Sequence, residues 1–208
     1  SWTNHAAVGF AYACLEEWEQ AEAAYQQAID QEPYEGDPHI LLGRMYLERG
    51  DPDRAEPEFE EAVGLDPAND QYVAWLGRLY SSQGELEQAV AEYERAAAMD
   101  PDDASHELSI GFAYLGAGAE PDQAEPRFQR ALDIYLEQGA TAREIAQATY
   151  GLALVHLSRA DCAGALPQLQ EAVRLDSALA AARDYLLQCR QVAGFSGANL
   201  PPELAQRS

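Results

Sequence analysis

The sequence predicts an all-α solenoid, a fold in which one pair of helices is copied and stacked along the chain. The first observation is a series of glycines spaced 34 residues apart, the ladder glycines Gly9, Gly43, Gly77 and Gly111. A fixed period between about 20 and 50 residues indicates stacked repeats. The second observation is that tyrosine, a further aromatic residue, alanine and proline keep this period, with a one-residue delay late in the fourth unit. They stand at Tyr12, Tyr46, Tyr80 and Tyr114; Tyr25, Phe59, Tyr93 and Phe128; Ala28, Ala62, Ala96 and Ala131; and Pro33, Pro67 and Pro101.

Each unit is predicted to contain two helices, as the third unit illustrates. Its first helix carries an apolar stripe at helical spacing, formed by Val73, Leu76 and Tyr80. Gly84 marks the turn that follows, because glycine adopts the left-handed conformation at little cost. A second stripe comes next, and Pro101 stops its helix because proline cannot continue a helix. The second stripe consists of Leu86, Ala89, Val90, Tyr93, Ala96 and Ala97.

The repeated pattern resembles the tetratricopeptide repeat (TPR). The third unit contains WLGRLY…G…A…Y…A…DP, and the first, second and fourth units show closely similar patterns. A fifth unit, LALVH…A…L…A…DS, departs from the family at the tyrosine and the proline. The resemblance covers roughly residues 2–179 and implies a right-handed superhelix of about five helix-turn-helix repeats. The expected bounds of these repeats are 2–35, 36–69, 70–103, 104–138 and 146–179.

The spacing changes after the fourth unit. Leu136, Gly139 and Ile145 indicate longer helices around a glycine-containing turn, which is either a simple insertion or a bend in the superhelix. Residues 180–193 are expected to form a capping helix over the apolar face of the last repeat. Residues 194–208 are expected to be a flexible tail, and docking of this tail in a groove is the alternative.

The chain is strongly acidic, with 36 Asp and Glu residues against 13 basic residues and a net charge of −23. A field of this sign repels nucleic acids and anionic membranes, so neither is expected as a partner. The charge either attracts basic partners or serves only as a solvated surface. No segment approaches the roughly 18 apolar residues of a membrane span. A cytoplasmic location, compatible with a bacterial origin, is expected, and a periplasmic location stays open because a chain beginning with Ser1 is compatible with processing.

No residue pattern indicates catalysis. The three cysteines are dispersed and lack zinc-ligand spacing, and the four histidines are scattered and expected in packing or surface roles. The acidic segments 51–53 and 100–103 lack the glycine and the final glutamate of a calcium loop, so they are expected to cap helices. We therefore expect no enzyme activity, no metal and no cofactor.

The TPR resemblance implies that the first helices of successive units line a concave groove. The residues expected in this partner-binding groove are Phe10, Ile40, Arg44, Leu47, Gln71, Trp75, Arg78, Leu108 and Phe112. One hypothesis is that a peptide binds with apolar anchors near the two phenylalanines and an acidic group or C-terminus near the two arginines. The alternative is that the arginines pair with Glu48 and other acids and that the phenylalanines belong to the core.

The expected function is a non-catalytic scaffold that binds a peptide or partner protein in this groove. Two alternatives remain: a self-assembling structural TPR protein that forms homo-oligomers, and a regulatory TPR segment of a larger enzyme or transcription regulator. Chaperone C-termini are not expected as ligands, because the inner positions lack the Lys, Asn and Arg clamp of the chaperone-binding TPR class.

Overall fold

The computed structural model describes residues 1–116 and 120–192, and within these ranges every regular element is an α-helix. The predicted tail at 194–208 and residue 193 of the predicted capping helix lie outside the described residues. The described helices are α1 (Trp2–Cys14), α2 (Trp18–Gln31), α3 (Gly36–Arg49), α4 (Pro52–Leu65), α5 (Asp70–Gln83), α6 (Leu86–Met99), α7 (Ala104–Gly116), α8 (Pro121–Gln138), α9 (Ala142–Ser158), α10 (Cys162–Leu175) and α11 (Ala180–Val192). None of them is both long enough and apolar enough to cross a membrane.

The helices pack in chain order and form a solenoid. Each odd-numbered helix packs against the even-numbered helix that follows it, and that helix packs against the next odd-numbered one. The first helices of successive units also touch, as α5 does with α7. The described residues thus form five helix pairs followed by α11, and the all-α superhelix predicted from the 34-residue period is confirmed.

In the first, second, third and fifth units, a residue in the left-handed conformation separates the two helices. Gly50 and Gly84 take it with φ of 82° and 78°. Glu16 in the first unit and Ala160 in the fifth take it without being glycine, with φ of 59° and 57°. A residue with a Cβ atom incurs a steric cost of about 1–2 kcal/mol in this conformation. These two turns are therefore strained where the glycine turns are not.

Each ladder glycine lies beneath an aromatic ring of the second helix of its unit. A Cβ atom built on Gly43 would lie 2.6 Å from a ring carbon of Phe59. Non-bonded carbon atoms prefer about 3.5–4.0 Å, so the two helices approach this closely only because the position has no side chain. The pairing recurs, at 2.7–2.8 Å, for Gly9 with Tyr25, Gly77 with Tyr93 and Gly111 with Phe128.

The fifth unit replaces both members of this pair. Ala153 and Leu169 are sixteen residues apart, the spacing that separates Gly43 from Phe59. Both are fully buried in one core cluster. A leucine side chain is narrower than an aromatic ring and leaves room for the methyl group of alanine. The departure of this unit from the family pattern is thus compensated within the unit.

A different stripe on each first helix packs against the preceding unit. In α3 it includes Leu42 and Met45, each 1% exposed. In α1 the equivalent residues are Val8 and Ala11, and both are exposed because no unit precedes α1 in the described residues. The stripe is buried in α5, α7 and α11, where its members are Leu76 and Leu79, Ile110 and Ala113, and Leu186 and Cys189.

The connection between the fourth and fifth units is made by two long helices. The helix α8 has 18 residues and is followed by Gly139, which takes the left-handed conformation with φ of 65°. Thr141 then caps α9, and its side chain and that of Glu144 form a reciprocal capping box. Because of this cap, α9 begins at Ala142 rather than near residue 146.

Candidate functional site

The first helices of the third and fourth units enclose a groove. Its cavity has a volume of about 540 Å³ and lies between α5 and α7, with residues of α6 contributing to its lining. Sites for small ligands commonly have volumes of about 300–1,000 Å³. The cavity is lined by Gln71, Ala74, Trp75, Arg78, Ser81, Gly84, Leu86, Tyr93, Ser105, His106, Ser109, Phe112, Ala113 and Gly116.

Helical spacing places these side chains on facing surfaces. Residues three and four apart lie on one face of a helix, which brings Gln71, Trp75 and Arg78 of α5 to the groove. The same spacing brings Ser105, Ser109 and Phe112 of α7 to the opposite wall. Together the two walls combine aromatic, hydroxyl, amide and charged groups.

Two arginines lie against the ring of Trp75. The guanidinium carbon of Arg44 is 4.9 Å from the ring centre, and that of Arg78 is 5.0 Å from it. Trp75 also stacks on Phe59, with ring centres 5.8 Å apart. Cation–π contacts of this kind contribute about 0.5–1 kcal/mol at exposed sites. The ring of Trp75 thus holds both guanidinium groups beside the groove.

The pairing of these arginines with acids, considered above, is not formed in the described part of the chain. Neither Arg44 nor Arg78 lies within ion-pair distance of a carboxylate there, whereas six other arginines do. A guanidinium without a carboxylate partner retains its fork of N–H donors for a ligand.

Phe112 presents an aromatic surface to the groove. Its side chain is 39% exposed, so it is not a core residue. Its ring packs edge-to-face on the buried Phe128, with ring centres 5.0 Å apart and planes at 70°. Because Phe128 is fully buried, it gives the ring of Phe112 a rigid support. Such a fixed, partly exposed ring is a suitable anchor for an apolar side chain.

Two carboxylates lie beside one end of the groove, next to its lining residues Gln71 and His106. The imidazole Nε2 of His106 lies 2.9 Å from an oxygen of Asp70 and 3.7 Å from an oxygen of Asp103. The amide of Gln71 donates to both carboxylates, at 2.9 Å and 2.8 Å. Burial opposes the ionisation of Asp103, but hydrogen bonds from Ser105 and Gln71 and the neighbouring His106 outweigh it. The pKa of Asp103 therefore lies below its usual value.

Three side chains of this cluster have the spacing of metal ligands. One ligand atom from each of Asp70, Asp103 and His106 lies within 4.8 Å of the others. The amide of Gln71 already bridges the two carboxylates, so hydrogen bonding accounts for the grouping. The cluster fastens the start of α5 to the start of α7 and closes one end of the groove.

Four of the nine residues expected in the groove line this cavity, and they are Gln71, Trp75, Arg78 and Phe112. Arg44 lies beside it through its contact with Trp75. The serines of α7 and Tyr93 of α6 were not among the expected residues. Ser105 and Ser109 could have been predicted as groove residues, because they precede Phe112 by seven and three residues on the same helix and therefore share its face.

The other four expected residues lie elsewhere. Ile40 and Leu108 are 7% and 6% exposed and belong to core clusters, so they support the helices from within. Leu47 is partly buried against the same cluster as Ile40. Phe10 is 58% exposed on α1 and is not part of the cavity lining. It is not a core residue either.

Comparison with known proteins identifies the repeat. Two sequence models described as tetratricopeptide repeat match residues 11–70 and 46–108. The crystal structure of TTC0263, a thermophilic TPR protein from Thermus thermophilus, superimposes with a TM-score of 0.73 at 21% identity, covering 92% of this chain and 100% of that one. The structure of Pseudomonas aeruginosa pilF also superimposes with a TM-score of 0.73, at 17% identity, covering 93% of this chain and 85% of that one. A search of curated proteins finds no match.

A third similar structure is YrrB, described as a TPR protein with an unusual peptide-binding site. It has a TM-score of 0.59 at 18% identity, covering 86% of this chain and 89% of that one. At these identities the likeness establishes the fold alone.

The packing and the matches together define a class of protein, the helical-repeat proteins whose stacked helix pairs present an extended surface. Within that class, the chain belongs to the tetratricopeptide-repeat family. Proteins of this family generally serve as non-catalytic scaffolds for protein–protein interactions.

Proposed function

We propose that this protein binds an extended peptide segment of a partner protein in the groove between α5 and α7. The observation that carries the proposal is the pair of arginines on Trp75 beside the partly exposed Phe112. Arginine can bind a carboxylate through two parallel hydrogen bonds. Tryptophan, arginine and other aromatic residues are frequent anchors at protein interfaces.

The size and polarity of the groove support the same proposal. A cavity of about 540 Å³ accommodates a few residues of a peptide rather than a folded domain. The hydroxyl groups of Ser81 and Ser105 lie on facing walls and can bond the peptide backbone. The similar solenoid YrrB is described as having a peptide-binding site, which supports a peptide ligand for this fold.

The test is a selection of random peptides displayed on phage against the wild-type protein. We expect peptides to be enriched on wild type and to be lost on the variant Trp75→Ala/Phe112→Ala, which removes both aromatic surfaces. The variant Tyr34→Ala is the matched control, because Tyr34 is an 87% exposed aromatic residue that does not line the groove. Equal enrichment on wild type and on the double variant would refute the proposal.

Self-association is a second candidate, supported by the uncovered stripe of α1. Val8 is 48% exposed, although the equivalent residue is buried in the second, third and fourth units. The helix α1 also contains no acidic or arginine residue, so two copies meeting there would not repel each other locally. Sedimentation should then show an oligomer that Val8→Glu dissociates. A monomer at all concentrations would exclude this candidate.

A further inference from the structure

Opposite charges flank the groove between α5 and α7. Arg78 lines the cavity beside Phe112, and Arg44 lies next to it on the ring of Trp75. Asp70 and Asp103 are not part of the lining, but they hydrogen-bond to Gln71 and His106, which line one end of the cavity. In the described residues, the two aspartates have no arginine partner, and the one basic side chain within 4 Å of them is the His106 imidazole. The protein therefore leaves charge of both signs for a ligand to neutralise.

The distance along the groove between the acidic and the basic groups follows from helix geometry. Asp70 and Arg78 are eight residues apart on α5, which corresponds to about 12 Å at about 1.5 Å per residue. An extended chain advances about 3.3 Å per residue, so three to four residues span this distance. Side chains in an extended chain alternate between two sides, so residues four apart point the same way.

We infer that the groove selects an extended segment with one acidic and one basic side chain four positions apart. The acidic side chain binds Arg78 and Arg44, and the basic one binds Asp70 and Asp103. The partly exposed ring of Phe112 contacts an apolar side chain of the same segment. This inference rests on the proposed peptide-binding function and specifies the chemistry of its ligand.

The charge of the whole protein favours such a mixed ligand over a ligand of one sign. With a net charge of −23, the protein repels a purely acidic peptide at long range. A purely basic peptide is attracted to many acidic positions on the surface and gains little preference for one groove. A peptide with both charges is attracted by the general field through its base and oriented by the two arginines through its acid.

The test begins with the sequences selected by phage display on the wild-type protein. We expect an acidic and a basic residue four positions apart in the selected peptides. A synthetic selected peptide labelled with fluorescein is then compared, by fluorescence polarisation, with a permuted peptide of identical composition whose charged residues are adjacent. The permuted peptide should bind at least about tenfold more weakly, because only one charged pair forms at a time.

A charge-reversal experiment tests whether Arg78 binds the acidic residue of the peptide. Arg78→Glu should weaken binding of the selected peptide at least about tenfold. Affinity should recover when the acidic residue of the peptide is replaced by arginine. Arg78→Gln should show the loss without recovery. Arg130→Glu makes the same charge change at an exposed position of α8 outside the groove lining and should leave the affinity unchanged.

The outcomes distinguish a failure of the inferred charge pattern from a failure of the proposed peptide-binding function. If peptides are enriched but carry no spaced pair of charges, or if the permuted peptide binds equally well, the inference is wrong and the peptide-binding function stands. A loss with Arg130→Glu as large as that with Arg78→Glu would also contradict the inference, because the effect would then be one of net charge. If no peptide is enriched, the proposed function itself fails.

Discussion

The packing of aromatic rings on the ladder glycines predicts that Gly43→Ala destabilises the protein. Alanine is the better helix former, by about 1 kcal/mol, so helix propensity alone predicts a gain in stability. The added Cβ atom would lie 2.6, 2.8 and 3.0 Å from three ring carbons of Phe59. Phe59 is fully buried and stacks on Trp75, so its ring cannot move away without disturbing the next unit.

The magnitude follows from these opposing terms. Overpacking a core by a methyl group costs about 1–3 kcal/mol, and the rigidity of Phe59 places this site near the upper end. Subtracting the gain in helix propensity leaves a net loss of about 2 kcal/mol in the free energy of unfolding. For a protein of this size, that corresponds to a fall in Tm of roughly 4–8 °C. Thermal and urea unfolding followed by circular dichroism measure both quantities.

Two controls isolate the cause. Gly64→Ala changes another helical glycine, but no atom lies within 4 Å of the new methyl group, so stability should rise by up to about 1 kcal/mol. In a Phe59→Leu background, Gly43→Ala should cost nothing further, because the pair then matches Ala153 and Leu169 of the fifth unit. If Gly43→Ala raised Tm as Gly64→Ala does, or cost the same in both backgrounds, the explanation of the glycine ladder would be wrong.

Three further predictions concern turns, caps and pH. Gly84→Ala should lower the free energy of unfolding by about 1 kcal/mol, and Ala160→Gly should raise it by about 0.5–1 kcal/mol, because both residues take the left-handed conformation. Urea unfolding measures both changes, and the same sign for both would contradict this explanation. Thr141→Ala should cost about 1 kcal/mol through loss of the capping box with Glu144, and an unchanged urea midpoint would argue against that cap. The pKa of Asp103 is lowered by folding, so its ionised form stabilises the protein above the unfolded pKa and this contribution is lost as pH falls through the folded pKa. The difference in Tm between wild type and Asp103→Asn should therefore stay constant above about pH 5 and shrink as the pH falls below about pH 4, and a difference that stayed constant in this acid range would contradict the sign.

The sequence was sufficient to predict the helix pairs because the residues that define them act locally. The glycines, alanines and prolines of the repeat determine where helices approach and where they end, and the structure has helices where their period requires them. The first residue of α9 was harder to predict, because it depends on the cap formed by Thr141 and Glu144 rather than on the repeat. The exchange of Gly and aromatic for Ala and Leu in the fifth unit was visible only as a departure from the pattern.

The site was less predictable because it depends on contacts between units. The register indicated the helix that carries Trp75 and Arg78, but not the stacking of Arg44 on the same ring from the preceding unit. Ile40 and Leu108 occupy the expected register positions, yet packing buries them. The clustering of Asp70 with His106 joins residues 36 apart in sequence and follows from the stacking of two units.

The most direct measurement of the central claim is photo-crosslinking of a selected peptide to the groove. Phe112 can be replaced by p-benzoylphenylalanine, which retains an aromatic side chain at a position lining the cavity. Tyr34, which is 87% exposed and does not line the cavity, is the matched position for a second protein with the same replacement. We expect irradiation to produce a covalent peptide adduct at position 112, identified by mass spectrometry, and none above background at position 34. Equal adducts at the two positions, or an adduct only at position 34, would contradict binding in the groove between α5 and α7.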